Sequence, residues 1–258
     1  MKTIWSILLV FSMLFGLAAC NLPTSSMGGA SQGATTPAAG QTTSIPSSSG
    51  ACANPYFPAS AGATWTYANT SPMAPASTTT RTLTNISPSS FTVNDATTPD
   101  INVAVRWTCQ GGNLAWLDTA TITAGDVSLA VSSATTTGTL IPAVMQAGGN
   151  WSEKLELIAD SNPNGKYPHA IVQLNDTQID CTANGKESIT VKAGTFEALK
   201  VTCVYVIVTK TTIDLNPGAT VTNNLTITDW YVAGIGSVKT EKTGDIIETN
   251  ELTAYSIP

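Results

Sequence analysis

Alternation of apolar and polar residues with a period of two constrains this chain more than anything else in it. Between Asn102 and Cys109, one side of an extended chain carries Val103, Val105, Trp107 and Cys109. The other side carries Ala104, Arg106 and Thr108. Such a segment buries one face only as a β-strand, because successive side chains point to opposite sides. Gln110-Gly111-Gly112-Asn113 then turns the chain, and Leu114-Ala115-Trp116-Leu117 begins a return strand. Parallel strands would need long crossovers, usually helical, and none is readable. Residues 51–258 are therefore expected to form a single all-β, antiparallel domain: a curved half-barrel, an open barrel or a two-layer β-sandwich.

Other segments fit that reading. Thr78 to Ile86 and Phe91 to Asn94 form an earlier meander around Ser87-Pro88-Ser89. Trp151 to Ile158 matches both a helical stripe and a strand, and the Gly148-Gly149-Asn150 turn before it favours the strand. Ser188 to Lys192 leads through Ala193-Gly194-Thr195 into a long strand from Phe196 to Lys210. The run Val204 to Val208 is apolar at nearly every position, so burial on both faces is expected there. In the strand Val221 to Val232, Leu225 and Ile227 should face in, and Thr226 and Thr228 out. Ser237 to Thr243 and Ile246 to Tyr255 complete the meander across a Gly244-Asp245 turn.

The N-terminus sets an address. Lys2 precedes a short apolar run from Ile4 to Leu17, which ends in Leu17-Ala18-Ala19-Cys20. This order matches a signal peptide over residues 1–19 with a lipobox, in which the Cys20 thiol accepts a diacylglyceryl group before cleavage. A spanning helix needs about 20 apolar residues, and this run is shorter and broken by Ser6, Ser12 and Gly16. Acyl chains such as palmitate on Cys20 would anchor the protein to the cell membrane or outer membrane, with everything downstream outside the cytoplasm. Residues 21–50 then hold Ser, Thr, Gly, Ala, Pro and Gln without a charge or an aromatic ring. They cannot bury enough apolar surface to offset their ordering entropy, so residues 20–50 are expected to be a disordered tether. A glycosylated stalk is the rival reading of the same composition.

Charge narrows the partners. The whole chain carries eleven Lys and Arg against seventeen Asp and Glu. Losing the signal peptide removes Lys2 and makes the balance more acidic. A chain of this sign is not expected to bind nucleic acid. Four cysteines remain after Cys20, an even number in an exported chain, and therefore disulfide candidates. Of three pairings, Cys52–Cys109 and Cys181–Cys203 are favoured, since the second brackets an apparent hairpin and the first pins the domain's start to a strand. A metal site lacks Cys-x-x-Cys spacing and has a single histidine available, so no metal or cofactor is expected.

Three segments carry a family resemblance: Gly62-Ala63-Thr64-Trp65-Thr66-Tyr67, then Ile189 to Ala198 around Ala193-Gly194-Thr195-Phe196, and Asp229 to Lys239 around Trp230-Tyr231 and Gly234-Ile235-Gly236. They resemble TapB-type and related β-rich envelope lipoproteins of bacteria. The resemblance implies an antiparallel β domain akin to half-barrels that hold lipids or lipoproteins, and no catalytic residue. The segments have plain structural readings too. Gly194 suits a turn with positive φ, and Gly234 and Gly236 permit a bend or bulge.

Catalytic chemistry has little to stand on. His169 would have to serve any serine triad, and no Gly-x-Ser-x-Gly accompanies it. Glu153, Glu156, Asp160, Asp176 and Asp180 could form an acid–base pair, although scattered carboxylates are usually solvated. Asn162-Pro163-Asn164-Gly165 has oxygen ligands for calcium, but its composition is that of a turn. Trp65, Tyr67, Trp107, Trp116, Trp151 and Trp230 could line a cavity for lipid or sugar or simply fill a core. The expected function is therefore non-enzymatic: binding an apolar ligand or supporting assembly of an envelope component. The alternative is an adhesion module that displays a sheet face to a protein or glycan.

Overall fold

A computed structural model describes residues 52–125, 127–160, 171–213 and 216–258. The lipobox cysteine Cys20, the tether, His169 and the Asn162–Gly165 turn lie outside the described residues. Among the described residues every regular element is a strand. β1 (Ala53–Asn54) and β2 (Phe57–Pro58) pair as a small ribbon. Twelve further strands follow: β3 (Thr64–Ser71), β4 (Ala74–Thr84), β5 (Ser90–Thr97), β6 (Ile101–Gln110), β7 (Asn113–Ala124), β8 (Val127–Gly138), β9 (Asn150–Asp160), β10 (Ile171–Val191), β11 (Gly194–Ile213), β12 (Asn216–Val232), β13 (Gly236–Gly244) and β14 (Glu248–Ser256).

Each of these strands pairs antiparallel with its neighbour in sequence, and β14 returns to pair with β3. The result is a closed up-and-down barrel, where the sequence suggested a half-barrel, an open barrel or a sandwich. The closing contact joins Thr64 to Ser256 and Thr70 to Thr249. Local patterning makes each hairpin but carries no signal for a pair so far apart. Closure satisfies the backbone groups that two sheet edges would leave open.

A barrel of this size poses a filling problem. Eight strands enclose an interior that side chains just fill, and more strands leave room. One end is stopped by the β1–β2 ribbon and the segment from 139 to 149. Buried Asn54 ties them together: its Nδ2 donates to Gly112 O at 2.8 Å and Pro142 O at 3.1 Å, and its Oδ1 accepts from Tyr56 N at 2.8 Å. Gly112 has φ +82°, and a Cβ there would stand 2.7 Å from Ala53 O, so only glycine lets the ribbon seat. Phe57 then stacks on Phe91 at 5.3 Å and on Trp107 at 5.5 Å, between ring centroids. Cys52–Cys109 bonds the ribbon to the end of β6, and Cys181–Cys203 joins directly opposed residues of β10 and β11.

The strand readings meet the structure unevenly. On β6, Val105, Trp107 and Cys109 are buried while Arg106 and Thr108 are exposed. Leu225 and Ile227 face in on β12. Gly194 has φ +145° and Gly236 +105°, at the turns. The expected double burial of Val204 to Val208 does not occur: Val204 is 49% exposed and Val206 37%. Tyr205 and Ile207 take the interior, and among the described residues no second layer packs on the outer face of β11.

Candidate functional site in the barrel lumen

Inside the barrel lies a cavity of about 270 Å³. Its apolar end is aromatic. Trp65, Trp107, Trp116 and Trp151 line it beside Phe57 of the ribbon. Ring polar atoms are tied to the wall: Trp65 Nε1 donates to Ile235 O at 2.7 Å, and Trp151 Nε1 to Leu140 O at 2.9 Å. These bonds hold the indoles in fixed orientations, so the surface presented to the cavity is rigid. Trp230 is placed elsewhere. It does not line the cavity; its ring lies against Lys200 and Lys239, which flank it in register, and Nε1 donates to Glu187.

The rest of the cavity wall is polar. Arg81 on β4 grips Asp95 on β5 with two bonds, Nε–Oδ1 at 2.8 Å and Nη2–Oδ2 at 2.7 Å. This bidentate fork is geometrically specific. The guanidinium also lies 5.7 Å from the centre of the Tyr67 ring. Lys242 on β13 pairs with Glu248 on β14 at 2.7 Å. Asp229 on β12 accepts from Ser237 Oγ at 3.0 Å and from Thr240 Oγ1. Burial raises the Asp229 carboxyl above its ordinary range, against the pull of those two hydroxyls. Burial also pushes the Tyr67 phenol up to about 12 and raises Tyr205 and Tyr231 further. All three phenols therefore stay protonated at neutral pH, and Tyr67 Oη donates to Ser237 O at 3.0 Å.

Glu153 on β9 is the outlier among the carboxylates considered from sequence. It is 1% exposed. Its Oε1 accepts from the Trp116 backbone N–H at 3.0 Å, and Oε2 has no partner among the described residues. Burial raises its pKa to about 7 despite that bond. Glu156 and Asp176 sit instead on the outer face, on either side of Lys154. Glu153 is not paired with Glu156, since Glu153 faces in and Glu156 out; Glu156 stands opposite Asp176 across the shared Lys154 ammonium. Among the described residues no group of three or more His, Cys, Asp or Glu is gathered as metal ligands would be.

A second polar feature lies on the same inner surface. Gln173, Asn175 and Thr177 of β10 are all at most 1% exposed. Thr209 Oγ1 donates to Asn175 Oδ1 at 2.6 Å. Both polar atoms of the Gln173 amide, Asn175 Nδ2, Thr177 Oγ1 and Thr211 Oγ1 have no partner among the described residues. A buried polar group left unmatched costs about 1–3 kcal/mol. Sequence reasoning missed this stretch, and also Arg81, Asp95, Asp229 and Lys242, while Tyr67 stands in the lining where it was expected. The signal available was the out-of-phase order in β10, with Val172 and Leu174 alternating against Gln173 and Asn175.

Comparison with known proteins adds a family. A protein from Bacteroides fragilis described as exported, with a YmcC-like fold, is 14% identical with a TM-score of 0.42; the match covers 78% of this chain and 98% of that one. A protein from Parabacteroides distasonis described as a lipoprotein is 16% identical with a TM-score of 0.39, over 79% of this chain and 99% of that one. No curated protein matches the chain. The DUF3108-like family model matches residues 104–252, more than half of the chain, from the middle of β6 into β14. The chain belongs to the DUF3108-like family.

Proposed function

We propose that this chain is a lipid-anchored, non-catalytic binding protein of the bacterial cell envelope that takes one small amphipathic molecule into its barrel. The observation that carries this reading is the lumen itself, where a tryptophan-lined end and a ring of phenols and ion pairs share one cavity. Ligand pockets run from roughly 300 to 1,000 Å³, so a cavity near the lower bound suits a compact molecule rather than a whole diacyl lipid. The ion pairs favour an amphipathic ligand over the purely apolar one expected from the aromatic residues alone. Arg81 and Lys242 are each matched by a carboxylate, so the pocket offers oriented hydrogen bonds without a large net charge. Two disulfides belong to an oxidising compartment, which supports a place outside the cytoplasm. The Cys20 lipobox and the TapB-type likeness of the three turn segments support the envelope setting.

The adhesion reading draws on a different surface. Ile158, Leu174, Val204 and Val221 stand exposed on β9 to β12. Native mass spectrometry of the full chain purified from its own host separates the two. The binding reading expects a discrete small-molecule adduct that disappears in a Trp116→Ala variant. A bare protein mass, together with a macromolecule retained in pull-downs from intact cells, would favour adhesion and end the lumen reading.

A further inference from the structure

We infer that the polar end of the lumen is a site for an organic ammonium group, held by the Asp229 carboxylate, so that the bound molecule is an amphipathic amine. This rests on the lumen-binding reading above and specifies its ligand. The charge inventory of the cavity wall carries it. Five charged side chains line the cavity: Arg81, Asp95, Asp229, Lys242 and Glu248. Asp95 takes both arms of the Arg81 fork, and Glu248 lies 2.7 Å from Lys242. Asp229 is the third carboxylate against two cations. Its bonded neighbours are hydroxyls: Ser237 and Thr240 both donate to Oδ1, and neither to Oδ2. Arg81 and Lys242 are near enough to favour its charged form, yet each already holds a carboxylate of its own. Asp229 shares the inner face of β12 with Leu225 and Ile227. Those two are buried, whereas Asp229 keeps accessible surface, and that surface opens on the cavity it lines.

The chemical class of the occupant follows from that imbalance. An anion would meet two cations already matched and one carboxylate that repels it. A neutral hydroxyl could donate to Asp229 but would leave its charge uncompensated away from water, which is unfavourable. An ammonium both donates and compensates. Burial by itself raises the Asp229 carboxyl, and a bound cation opposes that shift, so ionisation and binding support each other. A metal ion would need several free oxygen ligands, and Asp95 and Glu248 are committed to Arg81 and Lys242. The rings favour an organic cation instead. Tyr67, Tyr205 and Tyr231 line the same cavity, each close enough to feel the charge of Asp229, and aromatic faces attract ammonium groups. The apolar body has a place beside them. Ser237 joins the two ends, since its Oγ donates to Asp229 and its O accepts from Tyr67 Oη at 3.0 Å. Trp65 lies two residues from Tyr67 on the inner face of β3, about 7 Å along the strand. An apolar group against Trp65 and a cation at Asp229 therefore fit one small molecule.

Calorimetric titration of the full chain at neutral pH with three probes that share a phenylethyl body tests this. The probes are phenethylamine, phenethyl alcohol and phenylpropionate: a cation, a neutral molecule and an anion. The amine is expected to bind at least tenfold more tightly than the alcohol, and phenylpropionate no more tightly than the alcohol. Asp229→Asn keeps an oxygen that accepts from Ser237 and Thr240. It should erase the amine's advantage while leaving the alcohol unaffected. Asp229→Ser serves if that variant does not fold. Equal binding of amine and alcohol would overturn the inference and leave the lumen reading standing, with Asp229 holding a proton of its own. Tighter binding of phenylpropionate, or an amine preference that survives the substitution, would overturn it too. Failure of all three probes to bind would bring down both.

Discussion

β6 and β10 run in the same direction through one barrel, yet they distribute polarity in opposite senses. β6 puts Val105, Trp107 and Cys109 inside and Arg106 and Thr108 outside. β10 puts Gln173, Asn175 and Thr177 inside, while Leu174 is 42% exposed outside. Both strands obey the pleat, β6 with a register shift against β7 between Val105 and Trp107 and β10 without a break from Val172 to Thr182. The difference is therefore in what the interior does. The β6 wall removes apolar surface from water and gains stability at about 25 cal/mol per Å². The β10 wall holds groups that would be better solvated and forgoes that gain. Sequences keep such positions where something other than packing selects them.

Three measurements sharpen this comparison. The largest effect is expected on the aromatic side, where Phe91 is fully buried against both Phe57 and Trp107. Phe91→Ala should destabilise by about 3–5 kcal/mol through lost burial and the cavity left behind. Urea denaturation of the variant reads this directly, and a loss below about 1 kcal/mol would mean that the aromatic stack does not carry the fold. Next comes the ribbon that stops the barrel. Cys52 and Cys109 are 57 residues apart, and opening a loop of that length costs about 4 kcal/mol on the chain-entropy estimate. Cys52→Ser with Cys109→Ser should lower the melting temperature sharply and expose the Phe57 side of the cavity to an apolar dye. Unchanged dye binding would show that hydrogen bonds from Asn54 seat the ribbon without the bond.

The smallest of the three concerns Glu153, at the boundary between the two walls. An ordinary glutamate titrates near 4.5, and burial raises this one to about 7. Between those values the folded protein binds a proton that the unfolded chain has released. Stability should therefore fall as pH rises from about 4.5 to about 7, by about 3 kcal/mol in all, and level off above. Glu153→Gln should flatten that slope and leave the protein more stable than the parent at pH 8. A parent protein whose melting temperature rises over the same interval would contradict the assigned burial.

How much was legible in the sequence follows the same division. Where the interior is apolar, the pattern was readable. Val103 to Cys109 marks β6, Leu225 and Ile227 mark β12, and Gly194 and Gly244 mark turns. The four cysteines also stand where two bonds join Cys52 to Cys109 and Cys181 to Cys203. Where the interior is polar, the same logic fails. The stretch from Val172 to Gln178 gave no strand signal because Gln173, Asn175 and Thr177 occupy its buried side. Val204 to Val208 lies in a strand as expected but misled on burial, since valines on an outer face look like valines in a core. Trp230 shows the limit for single residues: a buried indole can be covered by two lysine stems outside the cavity as readily as by a core.

By itself, the sequence determined an all-β antiparallel domain, the places of most of its hairpins and, through Leu17 to Cys20, an expected route out of the cytoplasm. These are local properties, set by side-chain alternation, turn residues and a short linear motif. Tertiary structure alone decided that β14 returns to β3 and closes the ring. It alone brought Arg81 to Asp95, Lys242 to Glu248, and Glu153 to the backbone of Trp116. The physical reason is that closure turns one face of every strand into a common interior. Residues that are ordinary surface groups on a strand become, once the ring shuts, the lining of a single space.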